Sequence, residues 1–144
     1  MSAPSAGAPW TGGCWCGAVR YRVTAPPVFR AQCHCRACQH HTGGAPNHFV
    51  VIPPEGFRWE GEAPAAFRRG EAGRSVTRRF CAACGTHLAS ERPGLDAVVL
   101  KVGTLDDPSH YPGPAAAIFC AEMAPFHTVP EGVPAFDGLP PERG

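Results

Sequence analysis

This sequence lacks an excess of charge of either sign: thirteen Lys and Arg against twelve Asp and Glu leave a formal net charge of +1. That balance provides no electrostatic attraction for nucleic acid or an anionic membrane. Long apolar runs are missing as well. The longest, around Ala115–Ala121, is far short of the ~20 residues that span a bilayer. The opening MSAPSAGAPWTGG has neither the basic start nor the apolar stretch of a secretory signal, so a cytoplasmic protein is expected. There is no phosphate-binding P-loop, no dinucleotide fingerprint and no nucleophilic serine elbow, which leaves nucleotide chemistry and serine hydrolysis without support. Helical periodicity is scarce and no internal repeat occurs.

What the chain does have is punctuation. With 17 Gly and 17 Pro in 144 residues, it is built of short segments separated by turns. Period-2 alternation and β-branched or aromatic content predict strands over Ala18–Val23, Val28–Gln32, Asn47–Ile52, Phe57–Glu60, Ala65–Arg69, Ser75–Phe80, His87–Glu91, Ala97–Val102 and Ala116–Cys120. Arg36–Thr42 is the one stretch suited to a helical turn. The expected fold is all-β, a few small antiparallel sheets clipped together by metal. Residues 1–12 are expected to be a flexible arm and 13–144 a single domain, monomeric or homodimeric.

Seven of the eight cysteines fall into three clusters: Cys14 and Cys16 (CxC), Cys33, Cys35 and Cys38 (CxCxxC), and Cys81 and Cys84 (CxxC). Four disulfides would be the alternative, but a reducing cytosol disfavours them, and CxC and CxxC pairs followed by Gly17 and Gly85 look like metal knuckles. The two pairs together make a complete tetrahedral set of four thiolates, as in structural zinc sites. In zinc-finger peptides such binding is worth about 10–16 kcal/mol, comparable to the stability of a whole domain. Other readings are a redox-active pair, or separate partners for each pair.

The triplet supplies three thiolates, and zinc sites that do chemistry keep a position open. Three sulfurs leave a divalent ion with net charge −1, poorly suited to activating water and better suited to holding an incoming thiol as thiolate. Arg36 is the local candidate for a balancing cation. A fourth protein ligand would close the site, and His34, His40, His41, His48, His87 and Cys120 are the residues to try. His34, between two ligands, should point away from a metal, and Cys120 should be an inert buried thiol.

GGCWCGAVRY, CHCRACQHHTGG, RRFCAACGTHL, VGTLDDP and the closing AIF…APF…DGLP, in this order from Gly13 to about Pro140, resemble the glutathione-dependent formaldehyde-activating family. The resemblance implies an all-β zinc fold shared with Rab-exchange factors. It implies a structural zinc on Cys14, Cys16, Cys81 and Cys84 and a second zinc on Cys33, Cys35 and Cys38. It also implies a carbon–sulfur lyase of the S-(hydroxymethyl)glutathione synthase type, joining a small thiol such as glutathione to formaldehyde or another small aldehyde. Centromere-associated relatives imply an alternative, a non-catalytic zinc module that binds a protein partner. Where family members often carry a His, a basic residue and a Trp, this chain has Ala117, Glu122-Met123 and Phe126, and Gln39, His40 and His41 replace an Arg-rich stretch. These changes remove groups that would bind the carboxylates of glutathione.

Among smaller motifs, Asp106 and Asp107 are expected to cap a turn. Arg68, Arg69, Arg74, Arg78 and Arg79 should form a solvated face, and Phe49, Trp59, Phe67 and Phe80 should be core. Trp15 either shields the four-cysteine centre or sits on the surface.

Overall fold

The computed structural model describes residues 3–70 and 75–141. Among the described residues, ten short strands form two sheets. The smaller has the order β1 (Trp10–Gly13), β2 (Val19–Val23), β5 (Phe57–Gly61), all antiparallel. The larger has seven strands in the order β10 (Ala116–Ile118), β3 (Phe29–Cys33), β4 (Asn47–Ile52), β9 (Val98–Lys101), β8 (His87–Glu91), β7 (Thr77–Phe80), β6 (Ala65–Phe67). Among the described residues the one α-helix, α1 (Arg36–Thr42), follows β3 and is seven residues long.

The fold is all-β as expected, with two local departures. The sheets are not wholly antiparallel, because β10 returns from far along the chain to pair parallel with β3, Ile118 opposite Cys33. The first twelve residues are not all an arm, because Trp10 to Gly12 lie in β1 and Trp10 is buried. Glycine hides this strand from a reading by alternation. A Cβ on Gly12 would lie 2.3 Å from the Tyr21 hydroxyl, so the ring crosses β1 only because that side chain is missing.

Alternation sorts the large sheet into two faces. Val50, Ile52, Leu88, Ala89 and Leu100 pack with Trp10, Val19, Tyr21 and Val23 of the small sheet, forming one core. The opposite face carries Ala31, Cys33, Phe49, Val51 and Val99, which pack with Cys38, Ala116 and Ile118 in a second cluster. Register places Asn47 opposite Cys33 and Lys101 opposite Phe49 on this second face, with Ser90 opposite Val99 and Arg78 opposite Ser90 further along. Of the aromatic residues read as core, Phe49 is buried, but Phe67, on the outermost strand, is half exposed. No helix among the described residues is long and apolar enough to cross a membrane.

Candidate metal centres and the cavity beside them

Cys14 and Cys16 lie in the turn between β1 and β2, and Cys81 and Cys84 in the turn between β7 and β8. Each turn closes on a glycine in the left-handed region, Gly17 at φ 83° and Gly85 at φ 78°, a conformation other residues adopt only with strain. The four Sγ atoms all lie within 4.8 Å of one another. Cys16 Sγ is 3.5 Å from Cys14 Sγ and 3.7 Å from Cys81 Sγ. Four ligands at about 2.3 Å from a tetrahedral ion would be separated by about 3.8 Å, so the spacing fits zinc. All eight cysteines are free thiols.

Thr86, which the spacing argument passes over, ties the knuckles together. Its hydroxyl accepts from the Trp15 amide at 3.1 Å and meets Cys84 Sγ at 3.2 Å, and this contact holds the Cys84 thiol down at about 5. The Ala18 amide lowers Cys16, but contacts with Cys14, Cys84 and Cys81 outweigh it and push that thiol up to about 12. Packed this closely, the sulfurs resist ionising together unless a cation sits among them. Trp15 does not shield the centre, being 93% exposed.

The triplet joins the end of β3 to α1. Cys33 closes the strand, Cys35 is the helix N-cap with its Sγ accepting from the Cys38 amide at 3.2 Å, and Cys38 lies one turn on. Their sulfurs also lie within 4.8 Å of one another, and no His, Asp, Glu or further Cys of the described residues joins them. The thiols of Cys33 and Cys38 donate to Cys35 and hold it near 2, while the contact with Cys35 pushes Cys33 strongly upward. The three thiols thus accept one negative charge readily and the rest only beside a cation, which is the donor chemistry a zinc ion satisfies.

The cations that act on these sulfurs come from distant strands. Arg78 stabilises ionised Cys35, and Lys101 does so for Cys38. Arg36 does not have that role: its side chain donates to Gln39 Oε1, and its amide to Glu122 Oε1 at 2.9 Å. His34 faces away from the sulfurs and is fully buried in hydrogen bonds to Gln32 and His127. Cys120 is only partly buried and belongs to neither cluster. Asp106 accepts from Thr11 and Arg20, and Asp107 caps the turn at Ser109, so both acids are structural.

A cavity of about 750 Å³ opens over Cys33, Cys35 and Cys38. Asn47 and Phe49 form part of its floor, and Arg69, Arg78 and Arg92 bring positive charge to it. Phe119 also lines it and is the sole non-glycine residue at positive φ (54°) among those described. Of the arginines read as a solvated face, Arg69 and Arg78 therefore face a cavity, Arg79 pairs with Glu91 at 2.9 Å, and Arg74 lies outside the described residues.

No curated protein matches this chain. A crystal structure of a Rhodobacter sphaeroides protein is similar to it with a TM-score of 0.56 at 19% identity, covering 69% of this chain and 93% of that one. At that identity the likeness shows a shared fold. The family model described as glutathione-dependent formaldehyde-activating enzyme matches residues 9–122, from the strand before the CxC pair to the turn after β10. Both cysteine clusters lie inside that span, and with most of the chain matched, it belongs to the glutathione-dependent formaldehyde-activating family.

Proposed function

We propose that this protein joins a small thiol, glutathione or a relative, to formaldehyde or another small aldehyde, or cleaves the adduct in reverse. The observation that carries the reading is the three-sulfur cluster with no fourth ligand among the described residues, opening into an arginine-lined cavity. Cys33, Cys35 and Cys38 would hold a zinc ion, which when bound favours thiolate over thiol. Cys14, Cys16, Cys81 and Cys84 would hold a second, structural zinc that clips the small sheet to the large one.

The rest falls to the chain's own side chains. Arg69, Arg78 and Arg92 line the cavity and would meet the carboxylates of a glutathione-like thiol. They replace the basic groups missing around Ala117 and Met123. Phe49 and Phe119 give the same cavity apolar walls, against which the carbon chain of a small substrate would pack. Thiolate ligands persist in a reducing compartment, so the proposal places the protein in the cytoplasm. A site that opens into a cavity supports catalysis over the alternative of a partner-binding zinc module.

The test is the initial rate of adduct formation by zinc-loaded protein, measured above the spontaneous reaction, with glutathione and with a small thiol lacking carboxylates. Acceleration with a preference for glutathione is expected. No acceleration with either, in either direction, would reject the reading.

A further inference from the structure

Lys101 is the single lysine of the sequence. It sits on the face of the large sheet that carries Cys33, and its Nζ donates to Asn47 Oδ1 at 2.6 Å. No carboxylate pairs with it among the described residues. A lysine ammonium can only donate, so this bond fixes the Asn47 amide with its oxygen toward Lys101 and its NH₂ group turned away. Asn47 stands directly across from Cys33 and is 5% exposed. It lines the cavity over the triplet, and the hydrogen bond described for its side chain is the one Oδ1 accepts from Lys101.

We infer that Asn47, oriented by Lys101, receives the carbonyl oxygen of the aldehyde. The inference rests on the thiol–aldehyde reading above and adds the second half of the site. As the thiolate sulfur forms the C–S bond, the π pair of the C=O bond moves onto oxygen. The Asn47 NH₂ group donates to that developing alkoxide, and water supplies the proton that completes the hydroxyl. The proton released when the thiol ionised passes to water, so the exchange balances. An uncharged amide selects an uncharged carbonyl, whereas the arginines of the cavity select carboxylates. Asn47 is thus the catalytic donor and Lys101 a positioning residue.

The test compares Asn47→Asp, Lys101→Met and Lys101→Arg with wild type in the zinc-loaded full-length protein. Asn47→Asp keeps a partner for Lys101 but cannot donate. Losing one preorganised donor of this kind costs about 10²–10³ in rate. Asn47→Asp should therefore lower kcat about 100-fold while metal content and calorimetric thiol affinity stay at wild-type values. Lys101→Met should lower kcat about 10-fold, and Lys101→Arg, which can still donate to Oδ1, should restore most of it. An active wild type with Asn47→Asp within about threefold of it overturns the assignment. So does a loss of zinc or thiol affinity that accounts for the rate, since Asn47 would then serve the metal centre alone. A wild type that accelerates nothing rejects the thiol–aldehyde reading itself, a result distinct from both.

Discussion

The Nδ1 atoms of His34 and His127 face each other at 2.9 Å, and a single proton order satisfies both rings. The Ala124 amide donates to His127 Nδ1 at 3.3 Å, so that nitrogen is an acceptor and His34 Nδ1 carries the proton. His34 Nε2 then accepts from Gln32 Nε2 at 2.9 Å, and His127 Nε2 donates to the Gly44 carbonyl at 2.6 Å. The relay runs one way, from β3 through the triplet loop to the segment after β10 and back to the end of α1.

Replacing His127 by Ala strands the buried His34 N–H. A buried group left without its partner costs about 1–3 kcal/mol. His127→Ala should lower the melting temperature by several degrees, read by thermal unfolding. It should also weaken metal retention at the triplet more than at the four-cysteine centre, because His34 sits between Cys33 and Cys35. Equal retention at both would show that the relay does not support the triplet.

The two cysteine clusters should respond differently to loss of a thiol. Metal analysis of Cys35→Ser should show about two equivalents falling toward one with cooperative unfolding retained. Cys84→Ser would remove a ligand from the proposed zinc clip between the sheets and should abolish cooperative unfolding, since metal of this kind contributes on the scale of domain stability. A Cys84→Ser protein that unfolds as wild type would refute the structural assignment.

Arg78 projects from β7 into the cavity, acts on Cys35 and donates to Ser90 Oγ at 3.5 Å. Arg78→Ala should raise KM for glutathione about 10-fold and leave KM for a carboxylate-free thiol within about twofold, the scale of one charge-assisted hydrogen bond. Equal effects on both thiols would place Arg78 at the metal centre only.

Acid should destabilise the fold through His87. Burial, then Lys101, His41 and Arg78, push this imidazole down to about 3, against about 6.5 when exposed. Its Nε2 donates to the Ala89 carbonyl at 3.2 Å, and its Nδ1 is buried without a partner among the described residues. Between those two values the unfolded chain binds a proton that the folded chain does not, so stability rises with pH across the window and declines as pH falls below 6.5. Melting temperatures from pH 7.5 to 5 should fall, and His87→Gln should flatten the slope. Parallel slopes would exclude His87 as the source.

Spacing alone located the metal candidates, because CxC, CxCxxC and CxxC are local patterns and the sulfurs they bring together need little else. Elements with strong alternation or clear turn boundaries were equally legible: Asn47–Ile52, His87–Glu91 and Arg36–Thr42 have the bounds expected of them. What was not legible depended on register between distant strands. Lys101, Asn47 and Arg78 meet the triplet because β9, β4 and β7 line up on one face, and no window of sequence contains that face. Arg36 is near the triplet in sequence and was favoured for that reason, yet α1 turns its side chain to Gln39. Phe67 has the chemistry of a core residue but sits on the outermost strand of the sheet, where its ring is half exposed. Trp10–Gly13 reads as a loose segment because a glycine pair carries no alternation to detect.

The parallel pairing of β10 with β3 also has a consequence for biosynthesis. Ile118 must be made before it can lie beside Cys33, so about 85 residues separate the triplet from the strand that completes its side of the sheet. At ribosomal speeds of about 5–20 residues per second, the nascent chain carries these thiols beside an uncovered strand edge for roughly 4–17 seconds. In that interval oxidants and stray metals can reach them from the side that β10 later covers.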